Sequence, residues 1–291
     1  DLAWPQRMAA GLDQVRVRVA VYARDLDAVI ARGLRTGDSL PGTAGLATMG
    51  PLKVITDGSL NTKTAFCCQP YAGEPANHGV LNISAADLRA LMARGHAHGF
   101  HVAAHAIGDA ALASALDAFT ASGATGSIEH AQLVDLADLP RMAALGLIAS
   151  VQPAHLLDDR DVTHQLWPDR TERCFAFASM RAAGITLALG SDAPVAALDP
   201  WAAMAAAVHR SADEREPWNA AEALTAREAL AASIDSPSGI VVGARGDLAL
   251  LDVDPLAPQP DSASTAAWLR AIRPSLTIMA GRLTHEADAG R

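Results

Sequence analysis

Apolar and polar positions alternate in two distinct rhythms along this chain, and the rhythms follow one another in pairs. Short continuous apolar runs with β-branched residues occur at 15–23, 52–56, 100–105, 127–130, 147–152 and 186–192. Amphipathic stretches rich in Ala and Leu follow them at about 24–34, 84–98, 109–121, 136–145, 171–183 and 199–210. Runs such as Leu147-Ile148-Ala149-Ser150-Val151 carry no polar face, as expected of strands covered on both sides. Strand alternating with helix predicts βα units and a parallel sheet. Gly99 and Gly184 stand where helices of that length stop.

Two segments break the rhythm. Residues 59–83 hold Gly, Pro, Asn, Thr and two cysteines without helical period. A connection that long in a compact domain is usually functional, and a lid over the site is the expectation. Beyond residue 215 one more helix is predicted over 219–234. Glycine-punctuated short strands follow at 240–242, 247–252 and 275–280. The expected division is a barrel-like unit over 1–235 and part of a small β domain over 236–291.

Composition narrows the function. Of 291 residues half are hydrophobic and 19% are charged, the balance of a globular chain. The net charge of −9 with no Lys/Arg cluster argues against nucleic acid or an anionic membrane as partner. The three cysteines include the adjacent pair Cys67 and Cys68 and form no C-x-x-C spacing, so neither a disulfide framework nor a structural zinc site is indicated. A reducing cytoplasm is the expected compartment. No apolar run is long enough to span a bilayer. G-x-S-x-G, G-x-G-x-x-G after a strand, the phosphate-binding P-loop and H-E-x-x-H are all missing, which leaves no support for those chemistries.

The candidate chemistry sits at strand ends. His105, His130 and Asp192 each close a predicted parallel strand, and side chains there share one mouth in a parallel barrel. Two imidazoles and a carboxylate suit a catalytic divalent metal; any one of them alone could simply cap the following helix. His155 follows the strand at 147–152 and is a candidate substrate contact. Asp57, in Asp57-Gly58-Ser59, is either a turn residue or a second substrate contact. Asp109 is expected to cap the helix that it opens. His101 reads as a core histidine. Lys53 lies between apolar residues; a rim position with its ammonium in water competes with carbamylation into a metal-bridging carboxylate.

Five blocks in this order resemble the amidohydrolase superfamily, in its family 3 branch. They are Leu52-Lys53-Val54 through Asp57-Gly58-Ser59-Leu60, His105-Ala106-Ile107-Gly108-Asp109, Ile128-Glu129-His130-Ala131, Ser150-Val151-Gln152-Pro153 with His155, and Gly190-Ser191-Asp192-Ala193-Pro194. The tail from Gly243 to Asp252 resembles the family's return to its β-sandwich. The resemblance implies an α/β fold, a (β/α)8 TIM-type barrel, with one or two divalent ions, most often zinc. It implies His105 and His130 as metal ligands, Lys53 as the position carboxylated in some members, and Asp192 as both ligand and proton acceptor. It further implies hydrolysis of a C–N bond in an amide, N-acyl or cyclic small molecule; a phosphotriesterase-like activity could use the same ligands. The family's first-strand His-x-His has no counterpart here, and six units are counted where the barrel has eight. The chain is therefore expected to be the C-terminal part of such a barrel. It would be completed by an N-terminal segment or by self-association, or else act as a non-catalytic ligand-binding remnant.

Overall fold

The computed structural model describes residues 3–235 and 239–287. After a short first helix, α1 (Trp4–Ala9), six strands form one sheet. They are β1 (Val17–Tyr22), β2 (Ala47–Ile55), β3 (Val102–Ala106), β4 (Gly126–His130), β5 (Ile148–Val151) and β6 (Thr186–Leu189). They lie in chain order and every neighbouring pair is parallel. Between and after them run α2 (Leu26–Ala31), α3 (Ala85–Ala97), α4 (Asp109–Ser122), α5 (Leu139–Ala144), α6 (His155–Leu166), α7 (Phe177–Ala182), α8 (Pro200–His209) and α9 (Ala226–Ser233). Sequential parallel order with a crossover at each step is the arrangement of a barrel wall. Among the described residues, β1 and β6 each pair along one edge only.

The period-2 alternation decides the two faces of the wall. Leu52 and Val54 of β2, Val102 and Ala104 of β3 and Ile128 of β4 are buried on the side that the helices cover. The alternate positions, with Lys53, Ile55, His105, Ser127, Glu129 and Ser150, lie on the other face and are half-buried or exposed. Gly50 marks the irregular step in β1–β2 pairing between Val19 and Val21. A Cβ there would stand 3.0 Å from the Val19 and Ala20 backbone, so the close approach of the two strands needs a glycine.

Several helices are shorter than their patterns. The stretch at 171–183 is a 3-10 turn followed by α7, interrupted at Phe175 with φ of +54°. The 219–234 helix begins only at α9. There Thr225 accepts from the Glu228 amide while the Glu228 carboxylate accepts from the Thr225 amide, a capping box that sets the start. Besides α1, two helices escape the pattern altogether. The polar run Asp158-Asp159-Arg160-Asp161 hides the apolar stripe of α6. The other, α10 (Ser262–Ala271), starts at the Asp261 cap on the Ser264 amide.

A second, antiparallel sheet contains β7 (Leu248–Leu251), β8 (Pro274–Met279) and β9 (Arg282–Glu286) in that order. Residues 240–242, expected as a strand, form bends and turns with their side chains in solvent, and among the described residues no strand pairs with them. Within the same C-terminal stretch, α10 packs on α8 and buries Ala266, Leu269 and Ile272.

An ion pair ties the residue just before the small sheet to the residue just before β1. Asp247 accepts from Arg16 Nε at 2.5 Å and Nη2 at 2.9 Å, and from the Ala280 amide at 2.8 Å. The Arg16 guanidinium holds the Asp247 carboxyl down to about 2. A depressed carboxylate contributes stability above its unfolded value and loses it as pH falls through the folded one. Both partners are partly exposed, so the contribution is about 1 kcal/mol. Asp247→Asn is expected to melt lower than wild type at pH 7, with the gap closing as pH approaches 2 in thermal melts.

The 59–83 connection is a packed strap rather than a mobile lid. Leu60, Ala65, Cys67 and Tyr71 are buried, and the Tyr71 hydroxyl donates to the Ala65 carbonyl at 3.0 Å. Buried Arg170 donates to the Gln69 and Pro70 carbonyls at 2.8 and 2.5 Å. Asn61 donates to Asp159 of α6 at 2.9 Å. The segment is bonded to α6 and to the stretch after it.

Candidate metal centre

Four candidate residues meet at the C-terminal ends of the wall strands. His105 is the fourth residue of β3, and His130 ends β4. Gly190–Asp192 follow β6, and His155 opens α6 just beyond β5. His130 and Asp192 both hold positive φ, +72° and +52°. Left-handed backbone at non-glycine residues costs about 1–3 kcal/mol and clusters where a side chain must be aimed.

The tightest set is His130, His155 and Asp192. One ligand-type atom from each lies within 4.8 Å of the others. His130 Nδ1 and His155 Nε2 are buried without a hydrogen-bond partner. A buried ring nitrogen left unpaired is costly, and a cation shared by both would relieve the two together. Two nitrogens and a carboxylate oxygen form a donor set that fits a divalent transition metal.

His105 stands beside this set. Its ring centroid lies 4.5 Å from that of His130, edge to face, while the His155 ring is 6.2 Å from His130 on the other side. The sequence expectation had grouped His105, His130 and Asp192 and assigned His155 to substrate. In the fold it is His155 that completes the compact trio. His105 Nε2 points to the Gly58 carbonyl at 3.3 Å and to Asp57 Oδ1 at 3.4 Å.

Burial favours the neutral form of His105 and His130. Burial, then the neighbouring His105, push His130 down to about 3. Burial also lowers His105. Neutral imidazole is the ligating form, so neither ring has to shed a proton at pH 7. Lys53 lies on the same face, and burial lowers its pKa against the opposing charges of Glu129 and Asp192. Its side chain is half-buried.

Asp57, expected as a substrate contact, is wholly buried and its carboxylate oxygens receive protein N–H groups. Burial pushes its carboxyl up to about 6, and the backbone donors of Gly108, Phe66 and Ile107 oppose that shift. Asp109 is the first residue of α4 rather than its cap; it accepts from the Cys68 amide at 2.8 Å and meets Arg173 at 3.2 Å. His101 is exposed ahead of β3 instead of lying in the core. All three cysteines are free, and burial raises Cys67 to about 12, which leaves no thiolate nucleophile there.

The amidohydrolase family model matches residues 1–285. The chain belongs to the amidohydrolase family. It is 29% identical over 255 residues to YtcJ of Bacillus subtilis, a protein named as an amidohydrolase, covering 81% of this chain and 47% of that one. It is 28% identical over 225 residues to the N-substituted formamide deformylase of Arthrobacter pascens, covering 71% of this chain and 41% of that one. A solved metal-dependent hydrolase of Pyrococcus horikoshii superposes with a TM-score of 0.72 at 30% identity, over 79% of this chain and 47% of the other. The chain thus spans less than half the length of these relatives. The six parallel strands are the wall of an amidohydrolase barrel. Among the described residues no helix is long and apolar enough to cross a membrane.

Proposed function

We propose that this amidohydrolase hydrolyses a C–N bond of an amide, N-acyl or N-formyl small molecule at the strand-end cluster. The observation that carries the reading is the convergence of His130, His155 and Asp192, where each imidazole also has one buried ring nitrogen without a hydrogen-bond partner. His130, His155 and Asp192 would hold the ion, with His105 as a further ligand beside them. A divalent metal bound there, zinc by the chemistry of the donors, supplies Lewis-acid polarisation of the scissile carbonyl and a lowered pKa for water.

The chain's own side chains do the rest. Asp192 is exposed at the mouth, where its carboxylate can accept the proton of the attacking water and return it to the leaving nitrogen. Burial lowers the Lys53 pKa, the direction that favours the neutral amine from which a carbamate forms. Carboxylated Lys53 would then present an anion to the same cluster. The formyl-directed relative makes N-substituted formamides a substrate class to try first.

A second reading has its own observation. With β1 and β6 paired on one edge only, Tyr22, Ile55 and Ile148 stay exposed on the open face. Two more strands, from a complementing segment or a second copy, would bury that face and join the edges. Elemental analysis of the purified protein, beside a panel of N-acyl amino acids, N-substituted formamides and phosphotriesters, tests the proposal. Expected are at least one zinc per active site, hydrolysis of the amide compounds, and loss of both in His130→Ala. Metal-free protein that elutes as a higher oligomer and turns over nothing supports the ligand-binding alternative.

A further inference from the structure

Asp57 follows β2, and its carboxylate gathers three separate segments. Oδ2 accepts from the Phe66 amide of the strap at 2.9 Å and from the Gly108 amide at 2.8 Å. Oδ1 accepts from the Ile107 amide at 3.1 Å. Ile107 and Gly108 form the turn between β3 and α4, so one side chain pins the strap to the segment just after His105. The main chain repeats the link: Asn82 Nδ2 donates to the Asp57 carbonyl and the Asn82 amide to the Thr56 carbonyl, at 2.9 and 2.8 Å. A carboxylate that is 0% exposed and receives three backbone donors cannot reach a substrate.

The same Oδ1 lies 3.4 Å from His105 Nε2, whose hydrogen-bond partner is the Gly58 carbonyl at 3.3 Å. A carbonyl and an ionised carboxylate only accept. The Gly58 carbonyl therefore requires the His105 proton on Nε2, and the adjacent Asp57 carboxylate favours that same N–H, which leaves Nδ1 as the nitrogen with a free lone pair. The choice of tautomer is made by groups in the segment just after β2. Partners of this kind typically alter metal affinity without touching the ion.

We propose that Asp57 is a positioning residue that holds His105 in its Nε2–H tautomer and locks the ring to the 59–83 strap, so that Nδ1 is the nitrogen offered to a cation. The inference rests on the reading of His105 as a ligand. It gives the Asp-Gly pair after β2 a role in metal binding, and it makes the strap part of the centre's support.

The test uses the whole chain with 15N-labelled histidine. Long-range 1H–15N spectra of the metal-free protein are expected to show His105 as the Nε2–H tautomer. In Asp57→Asn, one acceptor oxygen becomes an amide donor that faces other donors. A tautomer mixture is expected at His105, with Co2+ affinity weakened about 10–100-fold by titration. Tyr71→Phe is the control: it removes the strap's bond to the Ala65 carbonyl, away from His105, and should lower Tm while leaving tautomer and affinity unchanged. An Nδ1–H tautomer in the wild type overturns the proposal even if Asp57→Asn fails to fold. So does an Asp57→Asn protein with wild-type tautomer and affinity, or a Tyr71→Phe protein that loses affinity equally. A wild type that binds no Co2+, yet shows the Nε2–H tautomer that Asp57→Asn scrambles, refutes the metal reading and upholds the placement of His105 by Asp57.

Discussion

Asp192→Asn is expected to reduce hydrolysis by about 10³-fold or more while leaving the fold intact, because it removes the proton acceptor and weakens a ligand in one step. The separation of activity from stability has a local cause. Asp192 lies beyond the end of β6, its side chain is exposed, and its φ is +52°. Asn occupies that left-handed region as readily as Asp, so the backbone pays no new strain. Circular dichroism and the melting curve should match wild type, whereas initial rates on the amide panel should fall to near background. Rates within a factor of two of wild type would remove Asp192 from the chemistry.

Arg210→Ala should have the largest effect on stability, about 3–5 kcal/mol. Arg210 is fully buried at the end of α8. Its Nε donates to the Trp218 carbonyl at 2.7 Å, and Nη1 donates to the carbonyls of Phe175 and Glu222 at 3.0 and 3.3 Å. The guanidinium carbon also lies 5.3 Å from the centroid of the Phe177 ring. Burial brings its pKa down to about 10, so it remains a cation at pH 7. Removing it leaves three buried carbonyls short of a donor and opens a cavity where the α7 region meets the segment after α8. Calorimetry should show Tm lower by roughly 10 °C. A drop under about 2 °C would mean that water replaces the guanidinium at little cost.

Position on the chain made part of the metal centre readable. His105, His130 and Asp192 each close an apolar run, and parallel strands bring such ends together whatever lies between them. His155 was legible as a neighbour of the site but not as a member of the compact trio. Its placement depends on α6 beginning at that residue, and the charged face of α6 masks the helical period. Asp57 shows the opposite failure. Asp-Gly is an ordinary turn pair, and nothing near it in the chain reveals that its acceptors serve the amides of Ile107 and Gly108, fifty residues away. Lys53 could be assigned to the face opposite Leu52 and Val54, but only the assembled wall shows that this face also carries His105 and Glu129.

What the sequence determined by itself is therefore the periodic part: six βα units in order, the strand ends that carry ligating side chains, and the change of character after residue 215. Those features repeat over two or 3.6 residues, and local sterics with solvent exclusion enforce them. What only the tertiary structure decided is the aperiodic part. It turned the 59–83 segment into a strap, drew His155 into the cluster and took Asp57 out of substrate reach. Those outcomes rest on single polar contacts between residues far apart in the chain, such as Asn61 with Asp159 and Arg170 with Gln69. Burial without a partner is costly for each such group, and the folded chain meets that requirement with whichever partner its packing brings within 3 Å or so.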